Sequence, residues 1–236
     1  PMAHDPVALQ GSRILVVDDT RANLDVLCEL LDPEGYKVSI APSGEIALRI
    51  AAKLHPDLIL LDVMMPGLDG FEVCRRLKAD DQTRSIPVIF ITAEGLTESV
   101  VTGFEVGGVD YIAKPFKDRE VLVRVRNALY TRYLFNLNRQ YQQKMERELQ
   151  TAHELQMGLM PDRPPDVAGL DVAGRCLPAD RVGGDLFQFF ERSDGGLVVS
   201  MADVTGHAMA AAIPVVLFHG MLETQVEFGH LDEICD

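Results

Sequence analysis

The chain has 236 residues, of which 36 are acidic and 22 basic, so its formal net charge is -14 at pH 7. This charge repels phosphate backbones and anionic lipid surfaces, which makes nucleic acids and membranes poor candidates for direct partners. Its apolar runs are strand-sized, far below the roughly 20 residues of a membrane span, and no signal peptide opens the chain, so we expect a cytoplasmic protein. The four cysteines lack CxxC spacing and are expected to be reduced thiols, without a disulfide framework or a zinc site.

Residues 13 to about 116 alternate between short β-branched runs and amphipathic stretches of helical period. The strand-like runs are RILVVD, KVSI, DLILLD, IPVIFIT and DYIAKPF, and the helical stretches cover about 22–31, 44–54, 70–79 and 97–106. This alternation is typical of βα units that close a parallel sheet with helices on both faces. We therefore predict an α/β fold with a doubly wound five-stranded sheet, in which ligands gather at the carboxyl ends of the strands.

Residues 118–160 contain no proline and many Arg, Gln and Glu residues, which indicates one long helix. Apolar or small residues recur on it mostly three or four positions apart, at Tyr130, Leu134, Leu137, Tyr141, Met145, Leu149, Ala152, Leu155 and Leu159. This spacing favours a dimerising coiled coil, and the alternative is one long helix packed on its own domain. The arginines of this segment, Arg124 among them, are interpreted as the solvated face of the helix.

Prolines at positions 161, 164 and 165 end this helix and begin a last segment with strand-like pieces and one apolar helical stretch, about 209–225. The predicted organisation is a tail at 1–12, a first domain at 13–130, a helical linker at 131–160 and a second domain at 161–236. That second domain is small for an independent hydrophobic core.

Most strand-like runs of the first domain end in a residue that can take part in phosphoryl chemistry. Asp18 and Asp19 follow RILVV, Asp62 follows LILL, Thr92 follows VIFI and Lys114 follows DYIA. Three converging carboxylates repel one another unless a hard cation lies among them, and Mg²⁺ accepts such oxygen ligands. A carboxylate, a divalent metal, a hydroxyl and an ammonium are the groups needed to accept a phosphoryl group, so we predict an aspartate that becomes phosphorylated.

Residues 13 to about 130 resemble the receiver domain of two-component response regulators, on the motifs VVDD, LLDVMMPGLDG, FIT and AKPF at the family's spacing. The resemblance implies a flavodoxin-like (CheY-like) fold and phosphorylation by a cognate histidine kinase. It also implies that Asp62 is the phosphoacceptor and that Mg²⁺ is held by Asp18, Asp19, Asp62 and the carbonyl of Met64.

The same resemblance assigns roles to residues on the last two strands. Thr92 and Lys114 would contact the phosphoryl group, and Tyr111 would be the switch aromatic that turns inward when Thr92 moves toward Asp62. The bond between Lys114 and Pro115 would be cis, which X-Pro bonds tolerate at little cost.

A second pair of acids lies in the last segment. Asp185 follows two glycines and precedes an apolar run, and Asp203 ends the strand-like run LVVSMAD. Two acids on successive strands, with glycines that let backbone and metal approach closely, could hold one hard divalent cation or a pair of them. By spacing alone, two ordinary turn aspartates explain this pattern equally well.

The segments ELQTAHELQMGLMP, PADRVGGDLFQFF and ADVTGHAMAAA resemble the start of the PPM (PP2C-like) serine/threonine phosphatases, specifically the bacterial subgroup that dephosphorylates anti-sigma-factor antagonists. The resemblance implies a partial α/β PP2C-like sandwich and a Mn²⁺ or Mg²⁺ centre held by Asp185, Asp203 and the carbonyl of Val204. Gln188 and Ala208 depart from the family, which commonly has an acid and a glycine there. The family's remaining metal-binding aspartates lie in its C-terminal half, so we expect a truncated domain that is inactive as a phosphatase in this chain.

The sequence thus predicts a response regulator that controls a metal-dependent phosphatase, acts on a phosphorylated anti-sigma-factor antagonist and forms a homodimer through the helical linker. The alternative is a phosphorylation-dependent binding adaptor with a degenerate phosphatase-like domain. A DNA-binding output is disfavoured by the acidic charge and by the absence of a basic recognition helix after residue 160.

Overall fold

The structure, a computed structural model, describes residues 9–93, 97–177, 185–191, 195–204 and 209–228. It divides into two compact units, Pro1–Asn138 and Arg139–Asp236. The division falls within the long helix α5, and so does the predicted end of the first domain at residue 130. Each unit is described by itself below.

The first unit contains a five-stranded parallel sheet with the strand order β2-β1-β3-β4-β5. The strands are β1 Arg13–Val17, β2 Lys37–Ala41, β3 Leu58–Asp62, β4 Val88–Ala93 and β5 Asp110–Lys114. The helices that alternate with them are α1 Arg21–Leu31, α2 Gly44–Leu54, α3 Gly70–Ala79, α4 Thr97–Glu105 and α5 Asp118–Met157. The predicted doubly wound α/β fold is confirmed.

Alternate residues of each strand enter two different cores, one on each face of the sheet. Ile14 and Val16 pack with α1 and α5, whereas Leu15 and Val17 pack with α2 and α3. All residues of β3 are buried. Burial on both faces explains why these runs are continuously apolar in the sequence, and it leaves the strand ends as the places where polar side chains can be accommodated.

The described part of the predicted tail begins at Leu9. Its side chain is 4% exposed and belongs to the core that contains α1 and α5. The Gly11 amide donates to the Gly35 carbonyl at 2.9 Å, in a turn where Gly35 has a φ of 84°. Residues 9–12 are therefore packed on the first unit.

Helix α5 is 40 residues long, so the predicted long helix is confirmed. Its first turns bury Val121, Val125 and Leu129 against the sheet. Farther along, Tyr141 and Met145 are 66% and 65% exposed. Within the described residues, therefore, the first turns of this helix pack on the sheet of the first unit.

The second unit contains an antiparallel hairpin of β6 Asp185–Glu191 and β7 Leu197–Asp203, followed by helix α6 Met209–Phe228. Met160 and Leu186 are buried at the centre of a small apolar cluster with Met157, Cys176, Phe187, Ala202, Val204 and Phe218. The PP2C-like sandwich stays a prediction for this segment. Among the described residues, no helix combines the length and the apolar character needed to cross a membrane.

Candidate functional site

The carboxyl ends of β1 and β3 meet at a crevice of the first unit. Strand β1 is paired with β2 on one side and β3 on the other, and such reversals of strand order open a crevice at the strand ends. Asp18 and Asp19 follow β1, and Asp62 is the last residue of β3. Each offers a carboxylate oxygen within 4.8 Å of the others, so the three predicted acids converge. Asp18 is 0% exposed and Asp62 is 3% exposed, whereas Asp19 is open to solvent.

Helix α3 begins directly against the backbone that carries Asp62. A Cβ atom on Gly70 would lie 2.2 Å from the Asp62 carbonyl oxygen, and the Gly70 amide donates to the Val63 carbonyl at 3.0 Å. Asp69 caps the helix by accepting a hydrogen bond from the Glu72 amide at 2.7 Å. The Asp-Gly pair of the sequence therefore provides both the cap and the close approach that positions Asp62.

Asp18 accepts hydrogen bonds from three residues. The Thr20 amide donates to Oδ1 at 2.8 Å, the Asn23 side-chain amide donates to both Oδ1 and Oδ2 at 2.9 Å, and Lys114 Nζ donates to Oδ2 at 2.8 Å. Asn23 is absent from the residues that the motifs predict. Only its location could have indicated it in the sequence, because Asn23 lies in the first helical turn after the VVDD motif.

Lys114, in β5, forms ion pairs with two of the three acids. Its Nζ lies 2.8 Å from Asp18 Oδ2 and 3.1 Å from Asp62 Oδ1. Burial raises the pKa of Asp62, although the hydrogen bond from Lys114 opposes this effect. Burial also disfavours the Lys114 ammonium, but its bonds to Asp18 and Asp62 outweigh burial and raise the pKa of Lys114. The bond between Lys114 and Pro115 is cis, as the resemblance implied.

The composition of this pocket fits a magnesium ion. Three carboxylates against one ammonium leave negative charge uncompensated, and carboxylate oxygens are the ligands that Mg²⁺ prefers. Asp18, Asp19 and Asp62 would hold the ion, which when bound would neutralise phosphoryl oxygens. Met64, the remaining predicted ligand, lies in the loop after β3, where its backbone hydrogen-bonds the Asp62 carboxylate.

Thr92 and Tyr111 lie on neighbouring strands and line the same small cavity. Thr92, in β4, is 4% exposed, and its hydroxyl donates to the Ala93 carbonyl at 3.4 Å. Tyr111, in β5, is half-buried. The cavity has a volume of about 10 Å³, the space of about one water molecule, and its other walls are Val63, Phe90, Gly103, Phe104 and Asp110. The Thr92 hydroxyl and the Tyr111 ring thus border one cavity, into which either group could move by a small distance.

Arg124 connects this cavity to helix α5. Its guanidinium carbon lies 5.3 Å from the centroid of the Tyr111 ring, and its nitrogens lie 2.7 Å from Asp110 and 2.9 Å from Glu120. The Arg124 side chain is 28% exposed. Its interpretation as a solvated residue is therefore wrong, because β5 presents both an acid and an aromatic face to this helix.

In the second unit, Asp185 and Asp203 face each other across the hairpin as a register pair. Both are exposed and border an open cavity of about 420 Å³ beside Cys176, whose thiol pKa is raised by burial and then by the Asp185 charge. Val204 follows β7 and packs on the apolar cluster. The structure thus brings the two predicted acids together. Within the described residues, groups of three or more acidic, His or Cys ligands are confined to Asp18, Asp19 and Asp62.

Gln188 lies on the opposite face of β6 from Asp185, because side chains alternate along a strand. It is 7% exposed, and its amide contacts the Leu159 carbonyl and, at 3.2 Å, His219 Nδ1. The position that carries an acid in the phosphatase family is here part of the buried side of the hairpin. Ala208, the other departure from that family, lies outside the described residues.

Comparison with known proteins supports an assignment of the first unit. The family model of the response regulator receiver domain matches residues 14–126. Response regulator PleD of Caulobacter vibrioides is 50% identical over 117 residues, which are 50% of this chain and 26% of PleD. The DNA-binding response regulator MtrA of Mycobacterium tuberculosis is 44% identical over 117 residues, which are 50% of this chain and 50% of MtrA.

A crystal structure from Chloroflexus aurantiacus, of a protein named as a response regulator, is 38% identical with a TM-score of 0.50 and covers 51% of this chain and 98% of that one. The chain spans about a quarter to a half of the length of the two curated relatives. The matched sequences, the five-stranded parallel sheet and the acidic pocket at its carboxyl edge agree with one another. Residues 14–126 are therefore a CheY-like receiver domain, through which the chain belongs to the response regulators of two-component signalling.

Proposed function

We propose that the chain accepts a phosphoryl group on Asp62 from a cognate histidine kinase and passes this signal to its second unit. The observation that carries the proposal is the position of Lys114, whose ammonium bridges Asp18 and Asp62 in a pocket that contains a third acid. Receiver domains bind Mg²⁺ through an acidic pocket of this kind. Here the ligands would be Asp18, Asp19, Asp62 and the Met64 carbonyl.

In the proposed reaction, an Asp62 oxygen forms a bond to phosphorus while the bond from phosphorus to the kinase histidine breaks. The leaving imidazole takes up a proton from water. The product places new negative charge at the strand ends, where the Lys114 ammonium and the Thr92 hydroxyl can bind phosphoryl oxygens. Lys114 already lies 3.1 Å from Asp62, so it needs little movement to do so.

The proposed switch uses the cavity between Thr92 and Tyr111. A phosphoryl group on Asp62 would draw the Thr92 hydroxyl toward it, and the Tyr111 ring would turn into the vacated space. Arg124 stacks on this ring and belongs to α5, so a turn of the ring changes the contacts at the start of the long helix. A difference of a few kcal/mol between two arrangements is enough to shift such an equilibrium.

Beryllofluoride, which imitates a phosphoryl group on Asp62, should turn the Tyr111 ring toward Thr92, and Asp62→Asn should abolish both phosphorylation by acetyl phosphate and this turn. Intact-mass measurement and a beryllofluoride-bound crystal structure are the readouts. Asp25→Asn, a change at an exposed acid of α1, should leave both unchanged. An outward Tyr111 ring in the bound structure would contradict the switch, and phosphorylated Asp62→Asn would contradict the assignment of the phosphoacceptor.

The raised pKa of Asp62 predicts that this acid lowers folding stability at neutral pH. The folded chain holds the Asp62 proton at a pH where the unfolded chain has released it, so the stability from this group is complete at low pH and is lost as the pH rises through the folded pKa. The unfolding free energy of Asp62→Asn should therefore be higher than that of the parent at neutral pH in EDTA. This difference should shrink at pH values below the ordinary pKa of aspartate.

Urea unfolding followed by circular dichroism at several pH values tests this expectation. Asp81→Asn is the matched control, because the Asp81 side chain is 86% exposed and its loss should leave the unfolding free energy nearly unchanged. Equal stability of the parent and Asp62→Asn at neutral pH would count against a destabilising Asp62 charge.

For the second unit we propose the start of a Mn²⁺- or Mg²⁺-dependent serine/threonine phosphatase domain that acts on a phosphorylated anti-sigma-factor antagonist. The pairing of Asp185 with Asp203 supports this proposal, since the two acids border the same open cavity. Together with the Val204 carbonyl they would hold the metal. The position of Gln188 favours a second candidate, a phosphorylation-dependent binding adaptor. Its amide is committed to buried contacts at a position where the phosphatase family has an acid.

Phosphate release from a phosphoserine antagonist by the full-length protein separates these two candidates. In the phosphatase, Mn²⁺-dependent release should respond to beryllofluoride and should fall by roughly a hundredfold or more in Asp185→Ala. Asp171→Ala, at an exposed acid of the same unit, should retain full activity. Absence of hydrolysis, together with antagonist binding that still responds to beryllofluoride, would instead establish the adaptor.

We also propose that α5 pairs two copies of the chain through its exposed apolar side chains, among them Leu134, Tyr141 and Met145. Light scattering at micromolar concentration should give a dimer mass for the parent. Tyr141→Glu combined with Met145→Glu should give a monomer, because two like charges would be buried next to each other without partners. Gln143→Glu, which changes a polar residue of the same helix, should remain dimeric. A monomeric parent would contradict the proposal.

A further inference from the structure

Asn23 is a polar contact of the acidic pocket that the proposed phosphoryl transfer does not use. Its side-chain amide lies 2.9 Å from each oxygen of Asp18, and the residue is half-buried in the first turn of α1. Asp18 is 0% exposed, so its oxygens interact with protein groups. Any ligand that binds Asp18 must therefore compete with these groups.

The hydrogen-bonding capacity of Asp18 is filled by its protein donors. A carboxylate has about four acceptor positions on its two oxygens. Oδ1 accepts from the Thr20 amide and from Asn23, and Oδ2 accepts from Asn23 and from Lys114. A cation can bind this carboxylate only when at least one of these contacts is released.

The three donors differ in how readily they can be released. The Thr20 amide belongs to the backbone at the start of α1, so its displacement would disturb the helix. Lys114 carries a full charge and is also held by Asp62 at 3.1 Å. Asn23 is neutral, and a neutral donor forms a weaker bond to a carboxylate than a charged one does. The Asn23 amide is therefore the donor whose displacement costs least.

We infer that Asn23 is a positioning residue that competes with Mg²⁺ for Asp18 and thereby sets the metal affinity of the pocket. In the metal-free protein the amide supplies part of the stabilisation that a cation would supply. This inference rests on the proposed binding of Mg²⁺ by Asp18, Asp19 and Asp62, and it deepens that function by naming the group that weakens it.

Asn23→Leu tests the inference, because leucine is of similar size and lacks the amide. Mg²⁺ should bind about tenfold more tightly than to the parent, the scale of one hydrogen bond to a charged group. The unfolding temperature in EDTA should fall, since Asp18 loses a donor, and saturating Mg²⁺ should restore it. Isothermal titration calorimetry and thermal unfolding are the readouts, and Asn136→Leu, at an exposed asparagine of α5, should leave both unchanged.

Asn23→Asp is a second variant, which replaces the donor by a like charge. It should bind Mg²⁺ at least as tightly as Asn23→Leu, and the Mg²⁺ concentration for half-maximal phosphorylation by acetyl phosphate should fall in both variants. A merely structural role for Asn23 would lower the unfolding temperature without tightening Mg²⁺ binding. Unchanged or weaker Mg²⁺ binding in both variants would overturn the inference and leave the proposed function standing. Absence of Mg²⁺ binding in the parent and in both variants would overturn both.

Discussion

The ion pairs of Lys114 with Asp18 and Asp62 are the interactions on which the candidate site depends. Two buried carboxylates at adjacent strand ends repel each other, and the ammonium between them makes their burial tolerable. Removal of the ammonium would leave two buried carboxylates without a counter-charge, and breaking a buried pair in this way typically costs about 3–5 kcal/mol. With Asp19 included, the compensation is incomplete, so the pocket keeps an excess of negative charge. Burial raises the pKa of Asp62, and the neighbouring Asp18 charge raises it further.

The same excess gives the pocket its chemistry. A site with balanced charge would have no electrostatic reason to bind a divalent cation, whereas three converging acids with one ammonium have such a reason. Lys114 serves the folded state by neutralising Asp18 and Asp62, and it would serve the proposed reaction by binding the phosphoryl group. The Lys114 side chain would therefore have two roles, one in the stability of the folded pocket and one in the proposed reaction.

The sheet provides the geometry that makes this combination possible. Because the strands are parallel, the ends of β1, β3, β4 and β5 lie along one edge, and alternation along each strand sends neighbouring residues to opposite cores. The acidic pocket is thereby linked to α5, since Tyr111 precedes Lys114 on β5 and contacts Arg124. That helix is long, and its later turns expose apolar side chains. In the second unit, side chains alternate between the two faces of β6, so Asp185 and Gln188 lie on opposite faces. The first residue supports the proposed phosphatase and the second supports the proposed binding adaptor.

The sequence by itself determined the elements of the first unit and the residues of its acidic pocket. Strand alternation with helical stretches, the acids after β1 and β3, and the long proline-free helix are local patterns, and each can be recognised within a few residues. The contacts that complete the site were decided by the tertiary structure. Lys114 and Asp18 are 96 positions apart, Arg124 reaches back to Tyr111 and Asp110, and Asn23 turns toward Asp18 only because α1 begins where it does. Such contacts depend on which strands are neighbours and how helices pack on them, and a periodic pattern carries no information about either.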